Sequence, residues 1–215
     1  MPRLFSYVVA ADGGFAPNPF HRCCTLACCK PNVRKAAGPG DLIVGLSRRC
    51  ERLVYIMRIG EKLTFEQYWR DPRFEKKKPA GFEQDKPDWS RQRVEKNGDN
   101  IYEPDGMGGF RQLKSAHWDH RADRESVSAK EHDTSANAVL VSRDFVYYGG
   151  EGPALRDKLS FLCVTRGHRS HFTPEQIAAV SRYFDQRPRG RRGEPTRWLK
   201  YKAHKARRMR KASCG

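Results

Sequence analysis

A chain of 215 residues with 38% hydrophobic residues and a mean hydropathy of −0.83 can bury the core of one full domain with appendages, or of two small ones, and leaves much of its length solvated. No run of about eighteen apolar residues occurs, which excludes a membrane-spanning helix. The net charge of +17 is unevenly placed: residues 186–215 hold twelve Lys and Arg against one acid, Glu194, so this segment carries +11 and leaves +6 for the body. Such a tail reads as a flexible arm for a polyanion, because Lys and Arg that neutralise phosphates release condensed counterions. Trp198 and Tyr201 interleave with these charges and can stack on bases. Seven cysteines, an odd number, include the adjacent pairs Cys23–Cys24 and Cys28–Cys29. With no signal-peptide pattern at the N-terminus, they read as reduced thiols of a cytoplasmic protein.

Leu4 to Ala10 is a first strand, followed by a turn at Asp12-Gly13-Gly14 and an irregular Ala16-Pro17-Asn18-Pro19. Thr25 to Ala37 holds a short element with a helix starting near Pro31. The turn Gly38–Asp41 feeds a buried strand, Leu42–Leu46, which pairs as a hairpin with Leu53–Ile59 across the charged loop Ser47–Glu51. Thr64 and Gln67 form a capping box that starts a helix with Phe65, Tyr68 and Trp69 on one face. Residues 71–98 and 117–137 are long polar stretches separated by the apolar islands Ile101–Tyr102 and Phe110–Leu113. Ala138 to Tyr148 is expected to be a hairpin bending at Ser142-Arg143-Asp144, and Phe161–Thr165 a further strand. Thr173-Pro174-Glu175-Gln176 opens a helix whose Ile177, Val180 and Phe184 share a side.

This order of elements is α+β: a small mixed or antiparallel sheet, or a partly open barrel, with two to three short helices and long polar loops. The expected organisation is one domain over residues 1–185 and a flexible basic tail over 186–215. Neither a Walker loop nor a G-x-G-x-x-G is present, which argues against a nucleoside-triphosphate or Rossmann engine.

Several strings occur together in one order: Gly14-Phe15-Ala16-Pro17-Asn18-Pro19-Phe20, Cys24-Thr25-Leu26-Ala27, Cys29-Lys30-Pro31, Tyr68 to Phe74, Gly98 to Tyr102 and Asp144 to Gly150. In these the chain resembles the second family of nucleotide-modification-associated domains, over roughly residues 4 to 185. The resemblance implies a place beside base-modifying chemistry in bacteria or phages. Its implied partners are nucleic acid, DNA foremost, or a nucleotide, together with other base-modification enzymes, and no membrane. A second likeness, carried by the Gly40-Asp41 turn, Val44-Gly45, Tyr68 and Asp71, is to PUA-like barrels of the ASCH and EVE type, which bind RNA or hold a modified base.

Two readings of the function stay open: a module that binds nucleic acid or a modified base, and an enzyme that alters a base with a cysteine nucleophile and a histidine acid/base. For the enzyme, Cys24 and Cys29 are the candidate nucleophiles. Both lie in the resembling string, and Arg22, Lys30 and Arg34 stand near enough in sequence to favour a thiolate. The ordinary reading of these thiols is burial as small hydrophobes. His21, Cys23, Cys24, Cys28 and Cys29 fall within nine residues, but a single local segment seldom wraps zinc, so no metal site and no cofactor are assigned. His168, between Arg166 and Arg169 at a strand end, is the candidate acid/base, with His117 as the alternative; His120 and His132 read as loop histidines among Asp119, Asp123 and Asp133. The candidate nucleotide-contacting residues are Asn18, Lys30, Arg34, Tyr68, Trp69, Asp71, Arg73, Tyr148, Arg166 and Arg169. Asp12, Asp41 and Asp71 also suit turn capping.

Overall fold

Alternation of apolar residues along the first strands decides the layering. In β1 (Leu4–Val8), Phe5 and Tyr7 point to one core while Leu4 points to another, and β3 (Leu42–Leu46) repeats the pattern with Ile43 against Leu42, Val44 and Leu46. The computed structural model describes residues 2–80, 98–155 and 157–197. The aromatic Trp198 and Tyr201, the outer tail and the middle of the first long loop, residues 81–97, lie outside the described residues.

The large sheet is mixed and six-stranded. Its core is β1, β3, β4 (Leu53–Arg58) and β9 (Asp144–Tyr147), with β1 parallel to β3 and the expected β3–β4 hairpin antiparallel. Two-residue strands close its edges, β10 (His168–Arg169) beside β1 and β11 (Gly190–Arg191) parallel to β9. At Gly45 the Tyr55 ring lies where a side chain would stand, 2.3 Å from an added Cβ, so only glycine fits there. A smaller antiparallel sheet of β2 (Cys24–Leu26), β8 (Val139–Ser142) and β5 (Glu61–Leu63) covers one face of the large sheet. On the other face sit α4 (Pro174–Asp185), through Val180 and Phe184, and the turn Asp157–Leu162. The outer face of the small sheet is packed by α2 (Phe65–Arg70), Phe74 and the hairpin β6 (Tyr102–Pro104)–β7 (Phe110–Gln112). The expected capping box forms at Thr64–Gln67, and a second one forms at Thr173–Gln176. The molecule is α+β, and among the described residues its sheets do not close into a barrel.

Four expectations need correction. First, the apolar run 138–148 is not a hairpin. Only Arg143 separates β8 from β9, too little chain for a hairpin turn, and the two strands pair in different sheets. Ser142 Oγ donates to the carbonyls of Arg58 and Asp144 and fixes this crossing. Second, Phe161–Thr165 is no strand; Leu159 and Leu162 are buried from a 3-10 turn. Third, the polar stretch 117–137 contains α3 (Val127–Thr134), which buries only Asp133 and therefore shows no apolar periodicity. Fourth, not all thiols are free: Cys50 and Cys163, 113 residues apart, form a disulfide.

The fold also continues past residue 185. β11 pairs with β9, Glu194 O accepts from Gly150 N, and Thr196 N and Oγ1 both donate to buried Asp12.

Candidate active site

Where the chain leaves β2 for α1 (Pro31–Ala36), Cys29 and Lys30 both adopt left-handed backbone, with φ of 59° and 47°. Non-glycine residues take this conformation at a cost and persist there only when their surroundings hold them. Here the clamps are visible. Cys29 N donates to Asp133 Oδ1 at 2.6 Å, and Cys29 O accepts from Arg34 Nε at 2.8 Å. A strand, a sharp strained turn and a helix that together present one residue form the geometry of a nucleophile elbow.

Cys29 is half-buried and lines the main cleft, a cavity of about 490 Å³. Its sulfur lies 3.5 Å from His117 Nε2. The other ring nitrogen, His117 Nδ1, is 2.8 Å from Asp133 Oδ2, which also accepts from the Tyr102 hydroxyl at 2.8 Å. Thiol, imidazole and carboxylate thus form a continuous chain from the cleft into the core, the arrangement in which a base is oriented by a third group. Phe15 packs on the imidazole with ring centroids 4.8 Å apart and lines the cleft as well.

The electrostatics follow from this chain. Burial works to lower the His117 pKa, but the bonds to Asp133 and Cys29 outweigh it and push it up to about 10. Burial alone would raise Asp133, yet His117, the Tyr102 hydroxyl and the Cys29 N–H hold it below the usual carboxylate range. His117 is therefore favoured as an imidazolium at neutral pH, a proton donor standing between the sulfur and the buried carboxylate.

The rest of the cleft divides by chemistry. Tyr7, Val9, Phe15, Ala16 and Ala116 supply an apolar wall, while Lys30, His132, His168 and Arg197 add cationic or polar groups. Burial lowers the Lys30 pKa, and its ammonium sits 4.8 Å from the centroid of the Tyr7 ring. His168 enters from β10, where it pairs with Tyr7.

The expected residues are thus sorted. Cys29, Lys30 and His168 line one cleft, although the histidine against the sulfur is His117. Cys24 is fully buried in β2, where burial raises its pKa, so as a nucleophile it would have no access to ligand. Cys23 and Cys28 are buried too, with pKa values raised by burial. Arg34 is buried and serves the scaffold: it donates to the carbonyls of Cys29, Asp133, Ala136 and Ala138. Asn18 and Tyr68 are likewise enclosed, in a polar network where Lys77 Nζ donates to Asn18 Oδ1 at 2.8 Å and the Tyr68 hydroxyl to Asp99 at 2.8 Å. Neither presents a side chain to a ligand.

Trp69 lies outside this cleft, with Lys78 Nζ 4.1 Å from its ring centroid. Asp71 caps a 3-10 turn and pairs with Arg73, which also grips Glu61. Tyr148 packs against the second core. Arg166 is exposed, and Arg169 donates to Phe161 O at 2.9 Å. The residues that sequence reasoning passes over are Asp133 and Tyr102. The only signal for Asp133 is its place, sixteen residues after a histidine, in a stretch that looks like loop.

Cys28, His117 and Asp133 bring ligand atoms within 4.8 Å of one another. Both Asp133 oxygens are already taken by N–H and O–H donors, and the Cys28 thiol points to Asp99 O at 3.5 Å. The donor set therefore reads as a hydrogen-bonded relay and not as a metal cage. The five-ligand cluster considered at His21–Cys29 does not gather among the described residues.

No curated protein and no solved structure matches the chain. The family described as nucleotide modification associated domain 2 matches it over residues 1–202. That span takes in every element of the cleft, and the chain belongs to the nucleotide modification associated domain 2 family.

Proposed function

We propose that the protein is a thiol-dependent enzyme acting on the base of a nucleotide, with Cys29 as nucleophile, His117 as general acid/base and Asp133 as the group that orients His117. The observation that carries this reading is the Cys29–His117–Asp133 chain at the elbow between β2 and α1, opening into a cleft with one apolar wall. A flat base suits the apolar wall, and Lys30 and Arg197 suit an anionic phosphate. The thiol proton rests on His117, so the sulfur attacks as a thiolate: a C–S bond forms at an electrophilic ring carbon, as pyrimidines offer, the ring double bond opens, and the imidazolium delivers that proton to the adjacent carbon. On the saturated ring water displaces an exocyclic amine as ammonia, and elimination of the sulfur, with the added proton returning to His117, restores the ring and frees the thiolate. His168, on the cleft wall, is placed to contact the substrate. Membership of a nucleotide-modification family supports the substrate class.

The test is mass spectrometry of nucleosides from cells expressing the wild-type chain or Cys29→Ser, with Cys24→Ser as the comparison. A gained or lost base that depends on Cys29 and not on Cys24 is expected. Identical nucleoside profiles for wild type and Cys29→Ser would overturn the reading.

A further inference from the structure

Away from the thiol cleft, the strand register of the small sheet brings two arginines together. β2 pairs with β8 through Cys24 and Ser142, so Arg22, just before β2, and Arg143, just after β8, flank the same end of the pair. Both are exposed. Together with His21 they line two concavities of about 520 and 490 Å³, the first completed by Arg189 and Arg191 and the second by Arg73 and Glu61.

The acids of this region are already engaged. Glu61 is held by Arg73, Asp144 by Arg58 and Arg189, and Glu194 by Arg191. Among the described residues no carboxylate lies within ion-pair distance of Arg22 or Arg143. Both guanidinium groups stand where the two concavities meet, with only the longer-range field of Glu61 acting on Arg143. His21 and Arg22 hold left-handed backbone, with φ of 57° and 65°, which keeps both side chains on the outside of the turn. The phenyl rings of the first concavity, Phe20 and Phe145, are buried.

We infer that this trough, built on Arg22 and Arg143 with Arg189 and Arg191 at its side, is a docking site for the phosphodiester backbone of a nucleic-acid strand, read by charge and not by base identity. Two exposed guanidinium groups side by side, Arg22 and Arg143, with the acid-paired Arg189 and Arg191 on the rim, suit successive phosphates of a strand better than a single nucleotide. The site is separate from the thiol chemistry and does not depend on it. Family membership in nucleotide modification points to nucleic acid as the polyanion.

The experiment is fluorescence anisotropy of a labelled single-stranded DNA 20-mer and the matching RNA against the full chain, over a range of salt. Arg22→Asn with Arg143→Gln is the test variant; asparagine tolerates the left-handed backbone at position 22. Arg143→Gln alone guards against misfolding of the pair. Arg121→Gln with Arg182→Gln removes the same charge from exposed positions elsewhere. Roughly tenfold weaker binding by the test variant, with a salt slope shallower by about 1.4, is expected, and the control should stay near wild type. Weakening with either strand supports the trough, and the comparison of the two strands names the preferred sugar. Unchanged affinity in the test variant, or an equal loss in the control, overturns it. Cys29→Ser should bind as wild type does, so failure of the thiol reading and failure of the trough give different results.

Discussion

His117 carries two duties that pull on the same proton. It faces a sulfur that needs a donor or acceptor, and it answers to a carboxylate that pairs with no other cation among the described residues. Because its folded pKa lies near 10, above the ordinary histidine value, the pair stabilises the fold fully below about pH 6.5. That contribution fades as pH rises toward 10 and is gone above it. Asp133 has the opposite sign: its pKa is depressed, so its contribution is lost as pH falls through its own low pKa. Urea unfolding of wild type and His117→Asn from pH 6 to pH 10 should therefore show a stability gap that narrows with rising pH. A gap that stays constant over this range would remove the imidazolium from the site. Asp133→Asn should slow any Cys29-dependent reaction by about a thousandfold or more, since the amide no longer fixes the imidazole tautomer. The readout is the single-turnover rate on a nucleotide substrate, with the near-ultraviolet spectrum checked for retained packing.

At the level of elements, the site depends on one turn being held from both sides. α1 is a short helix and α3 a weakly amphipathic one, and neither would be stable in isolation. Arg34 joins them. From α1 it reaches the carbonyl of Asp133 in α3 and those of Ala136 and Ala138 in the segment leading to β8, and with Nε it holds Cys29 O. Replacing it with leucine leaves several buried carbonyls without donors, a loss expected to cost about 3–5 kcal/mol in chemical denaturation. Arg34→Lys should recover only part, because a single ammonium cannot span three directions at once. The thiol–imidazole contact should loosen in the same variants, which an iodoacetamide titration of Cys29 would register. A destabilisation under about 1 kcal/mol for the leucine variant would show that the fork is dispensable.

On the scale of the whole molecule, two sheets share one core, and the chain closes that core from its C-terminal side. Residues 189–197 pair with β9, bridge to the turn after it and end on Asp12, whose pKa is raised by burial and which accepts from Tyr147 and Thr196. Two truncations should then behave differently. Stopping after Asp185 removes β11 and leaves Asp12 buried without its Thr196 donors, so the melting temperature should fall by several degrees. Stopping after Arg197 removes most of the basic tail and should leave the melting temperature where it was. Equal melting temperatures for the two truncations would return the boundary to residue 185.

How much of this was legible in the sequence varies with the range of the interaction. Local rules determined β1, β3 and β4, the capping box at Thr64–Gln67 and α4, because alternation, Pro at a first turn and Thr-x-x-Gln spacing act within a few residues. Residue chemistry marked Cys29 and His168 as catalytic candidates and Lys30 as a nucleotide contact, and the family resemblance placed the chain beside nucleotide modification. What they did not reach was partnership across distance. Cys29 meets His117 and Asp133 from 88 and 104 positions away, and Cys50 meets Cys163 across 113. Cys24 and Cys29 look alike in sequence, and only packing puts one under two sheets and the other at a cleft. The same holds for arginines: Arg34 is consumed by carbonyls, while Arg143 is exposed and makes no ion pair among the described residues. The sequence by itself determined which residues are chemically able. The tertiary structure decided which are exposed, paired or buried, because burial and long-range hydrogen bonds exist only once the sheets are assembled.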